Sequence, residues 1–332
     1  MNVNLIQRKP QPGQFSFEGY FARVMEAFSS LNFDAALKIV PYRSIGLIPR
    51  LGILAYARRN SGAVTHITGD IHFAAMVLNP ERTVVTVHDC GSLHKLQGLK
   101  REVMRQLWFN LPLRRLGAIT VVSNETKRDL LKWVPSLDPE RIHVIPVSVS
   151  ALFSRADKEF NSENPRVLQV GTKENKNLLR LCEALEGLKC HLVIVGVLTN
   201  RQKAALAKHQ IDYTNLIGLS DEELVKEYQK ADILAFASTF EGFGMPIVEA
   251  QIVGRPVVTS DCASMPEVAG DGAVLVDPYS VESIRDGFRK IIGDSNLREQ
   301  LVNIGFENAR RFDNTEIAKK YIAIYGSLQR QH

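Results

Sequence analysis

A chain of 332 residues is long enough for two domains, and a composition of 45% hydrophobic and 23% charged residues excludes a mainly disordered or fibrous protein. The 41 basic against 36 acidic residues leave a net charge of +5, a mild excess that suits phosphates or lipid headgroups; no zinc-finger, RNP-like or long basic-arm pattern points to nucleic acid. No run reaches the roughly 18 to 20 apolar residues that span a bilayer, and the opening MNVNLIQRKPQPGQ lacks the apolar core of a secretory signal, so a cytoplasmic location is expected.

In chain order, NVNLI, AVTHIT, RTVVTVHD, AITVVS and RIHVIPV read as strands, separated by helical patterns such as FARVMEAFSSL and ETKRDLLKWV. Cys90, Cys182, Cys190 and Cys262 show no CxxC pair or zinc-like spacing and read as reduced, mostly structural thiols. Within HKLQGLKREVMRQLWFNLPLRRLG, six Lys or Arg residues stand against one Glu, and Leu99, Val103, Leu107 and Leu111 repeat at i, i+4. Residues 95–115 are therefore either a core-packed helix with a solvated basic face or a basic amphipathic helix for an anionic membrane surface.

The polar stretch PVSVSALFSRADKEFNSENP reads as a linker. Beyond it RVLQVG, HLVIVG, DILAFAS, RPVVTSD and GAVLVDP, short apolar runs bounded by Gly and Asp, alternate with DEELVKEYQKA and VESIRDGFRKII, the pattern of parallel strands buried on both faces. The expected organisation is α/β: a first Rossmann-like domain over 1–150, a linker over 151–165, and a second over 166–312. An amphipathic helix over 313–332 follows; the sequence does not name its dock, and the expectation is that it packs back on the first domain. Ligands of such doubly wound sheets bind at the carboxyl ends of the strands, here expected around a cleft between the two domains.

Residues 241–250, EGFGMPIVEA, follow one of these strands. Gly242 and Gly244 let backbone approach a ligand, and Pro246 suits the first turn of a helix whose free N–H groups attract phosphate. Ile247, Val248, Ala250, Ile252 and Val253 make that helix apolar around most of its circumference, yet Glu249 sits among them. A buried carboxylate needs donors: ligand hydroxyls, a basic side chain, or a neighbouring loop.

Glu-x7-Glu around Gly-Phe-Gly-x-Pro resembles the signature of retaining family 4 glycosyltransferases of GT-B fold, close to mannosyltransferases of bacterial surface-polysaccharide pathways. The resemblance implies that Glu249 binds the donor's ribose, that Glu241 meets the transferred sugar, and that the amides of Phe243, Gly244 and Met245 face sugar and phosphate. VLQVGTKENKNLLRLCEAL is similar to the family's phosphate-binding element, which makes Lys176 the pyrophosphate lysine beside Gly171. The family often has Arg or Lys directly after that glycine; here Thr172 stands there, and Lys173 either supplies the charge or is a solvated turn residue. On the acceptor side, His88 and Asp89 resemble the family's strand-to-loop histidine region, with His88 in a catalytic role beside Glu241, and Gly13 stands where a glycine loop is usual. His66 and Asp70 occupy a similar strand end and read equally well as local hydrogen-bonding groups.

What the resemblance implies is transfer of a hexose from a GDP- or UDP-linked sugar to a saccharide or lipid-linked acceptor. Without an Asp-x-Asp motif, no metal or other cofactor is expected, and Lys176 with helix N-termini would stabilise the leaving diphosphate. Rival readings are a nucleotide-sugar epimerase, a phosphorylase, and a non-catalytic nucleotide-sugar-binding module. A nicotinamide dehydrogenase is set aside because neither half carries GxGxxG after its first strand.

Overall fold

The computed structural model describes residues 2–10 and 16–330. The chain divides into two units: residues up to Ser148 together with those from Phe312 on, and Val149–Arg311. Each is built on a six-stranded parallel sheet.

In the first unit the strands are β1 (Val3–Gln7), β2 (Ala35–Ile39), β3 (Val64–Ile67), β4 (Thr83–Val87), β5 (Ala118–Val121) and β6 (Ile142–Val144), in the order β2-β1-β3-β4-β5-β6. The second has β7 (Arg166–Val170), β8 (His191–Val195), β9 (Tyr213–Leu216), β10 (Ile233–Phe236), β11 (Val257–Ser260) and β12 (Val274–Val276), in the order β12-β11-β10-β7-β8-β9. Every pairing is parallel. Helices cover both faces, so the central strands β1, β3, β4, β5 and β10 are buried at every residue, which is why they read as predominantly apolar and β-branched runs. The direction of winding reverses between β1 and β3 in the first sheet and between β7 and β10 in the second, and ligands of doubly wound sheets bind at the carboxyl ends beside such a reversal.

Residues 151–165, read from the sequence as a linker, run along the second unit and are fastened to it. Lys158 Nζ and the amide of Asn161 both bond Asp232 Oδ1, and the Arg166 amide donates to its Oδ2 at 2.8 Å. Arg255 Nη2 donates to the Ala156 carbonyl at 2.7 Å. Asp232 is almost completely buried, and this segment supplies the donors that a buried carboxylate requires.

The helix Asn314–Arg330 packs on Ser16–Ser30 within the first unit. Its inner face carries Tyr321 and Tyr325, both fully buried. Tyr321 and Tyr20 share a hydroxyl hydrogen bond of 2.8 Å, and Tyr325 OH meets His66 Nδ1 at 2.7 Å. His66 Nε2 reaches Thr86 Oγ1 at 2.7 Å, and Thr86 reaches Thr120 at 2.6 Å, so polar atoms at the centre of the sheet are paired in one chain. The four cysteines form no disulfide among the described residues, and three of them are buried.

Burial keeps the imidazoles of His66, His72 and His88 neutral, with pKa values pushed down to about 3, about 4 and about 4. The unfolded chain takes up these protons near the ordinary value of 6.5, whereas the native chain does not. Folding stability is therefore complete above that value and falls as the pH drops from 6.5 towards 4, by on the order of 1 kcal/mol per pH unit for each histidine. Urea unfolding at pH 7.5, 6.0 and 5.0 is expected to show this acid-side loss, and His66→Gln to flatten its slope by about one third.

Candidate active site

Lys176 follows β7 and Glu241 follows β10, the two strands between which the winding reverses. Their side chains form an ion pair of 2.7 Å, each with 16% of its side chain exposed. Asn175 Nδ2 donates to Glu241 Oε1 at 3.0 Å and to the Phe240 carbonyl at 2.9 Å, while the Thr239 amide donates to the Asn175 carbonyl at 2.8 Å. Lys176 Nζ also lies 4.4 Å from the centroid of the Phe236 ring.

The loop that delivers the lysine is tightly determined. Gly171 has φ +93°, and a Cβ there would come 3.0 Å from Lys176 Cε, so the aliphatic stem of the lysine runs over the glycine. Residues Glu174–Lys176 form one 3-10 turn, and Asn177, at φ +59°, fixes its end by donating to the carbonyls of Ala237 (3.0 Å) and Pro278 (2.7 Å). Thr172 Oγ1 donates to the Val197 carbonyl at 2.7 Å and so secures the loop, while Lys173 is exposed.

On the other strand end, Ser264 Oγ bonds the carbonyls of Glu241 (2.9 Å) and Phe243 (2.7 Å), bracing the turn before the helix Met245–Val253. Gly244 caps that helix at φ +109°, and Phe236 and Ile247 leave little room for a Cβ there (3.3 and 3.2 Å). With Pro246 in its first turn, the helix directs its amino end to the same carboxyl edge of the sheet. Glu249 lies one turn in, only 8% exposed, and accepts a hydrogen bond of 2.5 Å from the Tyr228 hydroxyl. The donor the structure shows is a phenol, which is none of those weighed from the sequence.

In the first unit His88 follows β4. It is 8% exposed, donates from Nε2 to the Thr68 carbonyl at 3.0 Å, and is packed edge-on by Tyr20 and Phe21. A carbonyl only accepts, so Nε2 bears the proton and Nδ1 of the neutral ring carries the lone pair. Asp89 Oδ1 accepts from the Gly91 amide at 2.7 Å. Asp70 pairs with Arg8 at 3.0 Å and its carbonyl takes the Trp108 indole N–H, also at 3.0 Å, whereas His66 belongs to the core. Gly13 lies outside the described residues.

The segment 95–115 is broken where the sequence reads as one helix. A short helix Gly91–Lys95 is separated, by a left-handed Gly98 (φ +53°), from a helix that starts as Gly98–Met104 and continues through a π-helical stretch Arg105–Asn110 into Leu111–Leu113. Phe109 is buried; Leu99, Val103 and Leu107 are exposed.

Thus Lys176, Glu241, Gly171, Gly244 and Met245 come together at one sheet edge, with Glu249 one turn behind. Asn175, Asn177, Tyr228 and Ser264 are essential parts of that arrangement which the sequence reading passed over. The two asparagines lie inside the TKENKN block already singled out, but nothing local marks Tyr228 as the partner of a residue in the next helix.

Two doubly wound parallel sheets with these strand orders define the GT-B class, and the whole-chain comparison agrees: a glycosyltransferase from Rickettsia africae superposes with a TM-score of 0.78 at 18% identity, covering 98% of each chain. The family model for glycosyl transferases group 1 matches residues 151–308, and that for glycosyltransferase family 4 matches residues 40–151. The chain thus carries a glycosyl transferases group 1 domain and a glycosyltransferase family 4 domain. Similar proteins include O-antigen chain mannosyltransferase B of Escherichia coli, 38% identical over 108 residues (32% of this chain, 28% of the relative). MMP alpha-(1->4)-mannosyltransferase of Mycolicibacterium hassiacum is 28% identical over 228 residues (64% and 54%). The matched stretches thus span about a quarter to a half of those relatives.

The ion pair makes a quantitative expectation. Lys176→Met or Glu241→Gln alone strands its partly buried partner and is expected to cost about 1–3 kcal/mol in urea unfolding, and the double variant less than the two losses added.

Proposed function

We propose that this protein is a retaining, metal-independent hexosyltransferase that moves a sugar, mannose in the favoured reading, from a nucleotide diphosphate donor to a saccharide or lipid-linked saccharide during polysaccharide or glycolipid synthesis. The observation that carries this reading is the placement of Lys176 and Glu241 together at the β7/β10 reversal, beside the amino end of the helix that holds Glu249. The mannosyltransferase relatives favour mannose; GDP or UDP is the nucleotide in this proposal.

In this mechanism the donor's diphosphate lies between Lys176 and the amides of Phe243, Gly244 and Met245, while Glu249 takes the ribose hydroxyls. The diphosphate competes for the ammonium of Lys176 and frees Glu241 to accept from sugar hydroxyls. As the bond from the anomeric carbon to phosphate breaks, negative charge grows on the diphosphate, and Lys176 and the helix end stabilise it without moving. The acceptor hydroxyl enters on the face the diphosphate leaves and gives its proton to a departing phosphate oxygen, so configuration is retained. Lys173 adds screening charge at the loop. The first unit binds the acceptor, with Asp89 and the neutral His88 at its site.

Thermal unfolding with GDP, UDP, ADP and NAD, each with EDTA present, tests the donor site. One nucleoside diphosphate at 100 times its Kd is expected to stabilise the protein by about 2.7 kcal/mol, and Glu249→Ala to abolish the shift. Stabilisation without sugar transfer would leave a binding module instead of an enzyme.

For the acceptor's location, we propose peripheral attachment to the cytoplasmic face of an anionic membrane. Among the described residues no helix is long and apolar enough to cross a bilayer. Ile48 (83% exposed) and Leu47 (73%) on the helix Leu47–Arg59, with Leu99 (79%) on Gly98–Met104, are exposed apolar side chains amid basic sequence; residues 43–59 contain four Arg and no acid. Arg50 stacks on Trp108 at 4.7 Å, which joins the two segments. Flotation with phosphatidylglycerol vesicles is expected, and Leu47→Glu with Leu99→Glu to reduce it about tenfold or more; equal binding to neutral vesicles would refute an electrostatic contribution.

A further inference from the structure

Tyr228 and Glu249 are contributed by the helices on either side of β10, Asp221–Lys230 before it and Met245–Val253 after it. The tyrosine is completely buried and held on every side that matters. Phe153 packs edge-on against its ring, with centroids 5.3 Å apart and planes at 85°. Arg255, itself buried, donates from Nε to the Tyr228 carbonyl at 3.2 Å and from Nη2 to the Gln229 carbonyl at 3.1 Å. The Ser220–Glu223 capping box fixes the start of the helix. Ring and backbone being set, the hydroxyl is aimed at Glu249 Oε2, 2.5 Å away. Burial and the adjacent carboxylate raise the phenol well above its ordinary pKa, so it remains a donor throughout the working pH range.

A glutamate's terminal torsion is broad, so an untethered carboxylate samples many planes, and recognition of two vicinal hydroxyls depends on one plane. We propose that Tyr228 is a positioning residue for ribose recognition: by holding Oε2 it sets the plane in which Glu249 meets the two vicinal hydroxyls of the donor's ribose. This inference rests on the proposed ribose role of Glu249. The competing account is that the phenol merely satisfies a buried acid.

The two accounts differ in what they do to discrimination between sugars. Dissociation constants of the full chain are measured by calorimetry for GDP and UDP and for their 2′,3′-dideoxy counterparts, in the wild type, Tyr228→Phe, Glu249→Ala and the double variant, each checked for cooperative unfolding. The wild type is expected to prefer the ribose form of its nucleotide by about tenfold or more, and Glu249→Ala to erase that preference. Tyr228→Phe is expected to weaken the ribose form about tenfold while changing the dideoxy form less than about twofold, and to add nothing in the Glu249→Ala background.

A preference kept in Tyr228→Phe but lost in Glu249→Ala overturns the positioning role and leaves the ribose site standing. A preference that survives Glu249→Ala, or a wild type with no preference or no affinity, overturns the ribose reading and this inference with it. Should Tyr228→Phe fail to fold, 3-fluorotyrosine at position 228 keeps the hydroxyl. Its fluorine resonance is expected to shift with the ribose form only, and an equal response to both forms would overturn the proposal.

Discussion

The ion pair between Lys176 and Glu241 is the contact around which the second unit's carboxyl edge is organised. It joins the exits of β7 and β10, which are neighbours in the sheet but separated in the chain by β8, β9 and their helices. Two opposite charges at the mouth of a low-dielectric crevice attract strongly, yet they cost desolvation, and the surrounding bonds from Asn175, Asn177 and Ser264 keep the geometry in which attraction wins. Each of these groups also braces backbone that a ligand would touch. The same interaction therefore shapes the loop in the absence of substrate and sets the charges that a diphosphate would exchange.

The first unit solves a different problem at the corresponding edge. Its histidines are buried and neutral, and its polar atoms are paired inward, from Tyr325 through His66 to Thr86 and Thr120. Its charged groups at the reversal between β1 and β3, Arg8 and Asp70, are paired with each other, and Trp108 ties the Asp70 backbone to the 105–110 stretch. One unit thus places an ion pair at a strand end, whereas the other places a buried, neutral imidazole there.

Ten of the twelve strands stand out in the sequence, because a parallel strand covered on both faces is predominantly apolar. The two that do not, β2 and β9, are edge strands: AALKI is half-buried and ends on the exposed Ile39, and YTNL is mostly polar, so neither carries a long apolar run. The helix Leu47–Arg59 escaped notice for the opposite reason, since its leucines and isoleucines lie on exposed as well as buried sides and give no periodic stripe. At the site, Lys176, Glu241 and Glu249 could be singled out because each is a charge in a glycine-bounded or apolar context. Their supports could not, because Tyr228 finds Glu249 only when two helices are laid side by side, a tertiary fact with no local signature.

The return of the helix Asn314–Arg330 to the first unit has a consequence for biogenesis. Residues 149–311 form, in effect, an insertion within the first unit's chain, and that unit's core stays open until Tyr321 and Tyr325 arrive. During synthesis the second unit can complete its sheet while the first still waits, reversing the usual amino-terminal-first order. His66, Tyr20 and the inner face of Ser16–Ser30 stay uncovered for that interval, so premature termination before residue 321 would leave an apparently intact second unit attached to a first unit that cannot close.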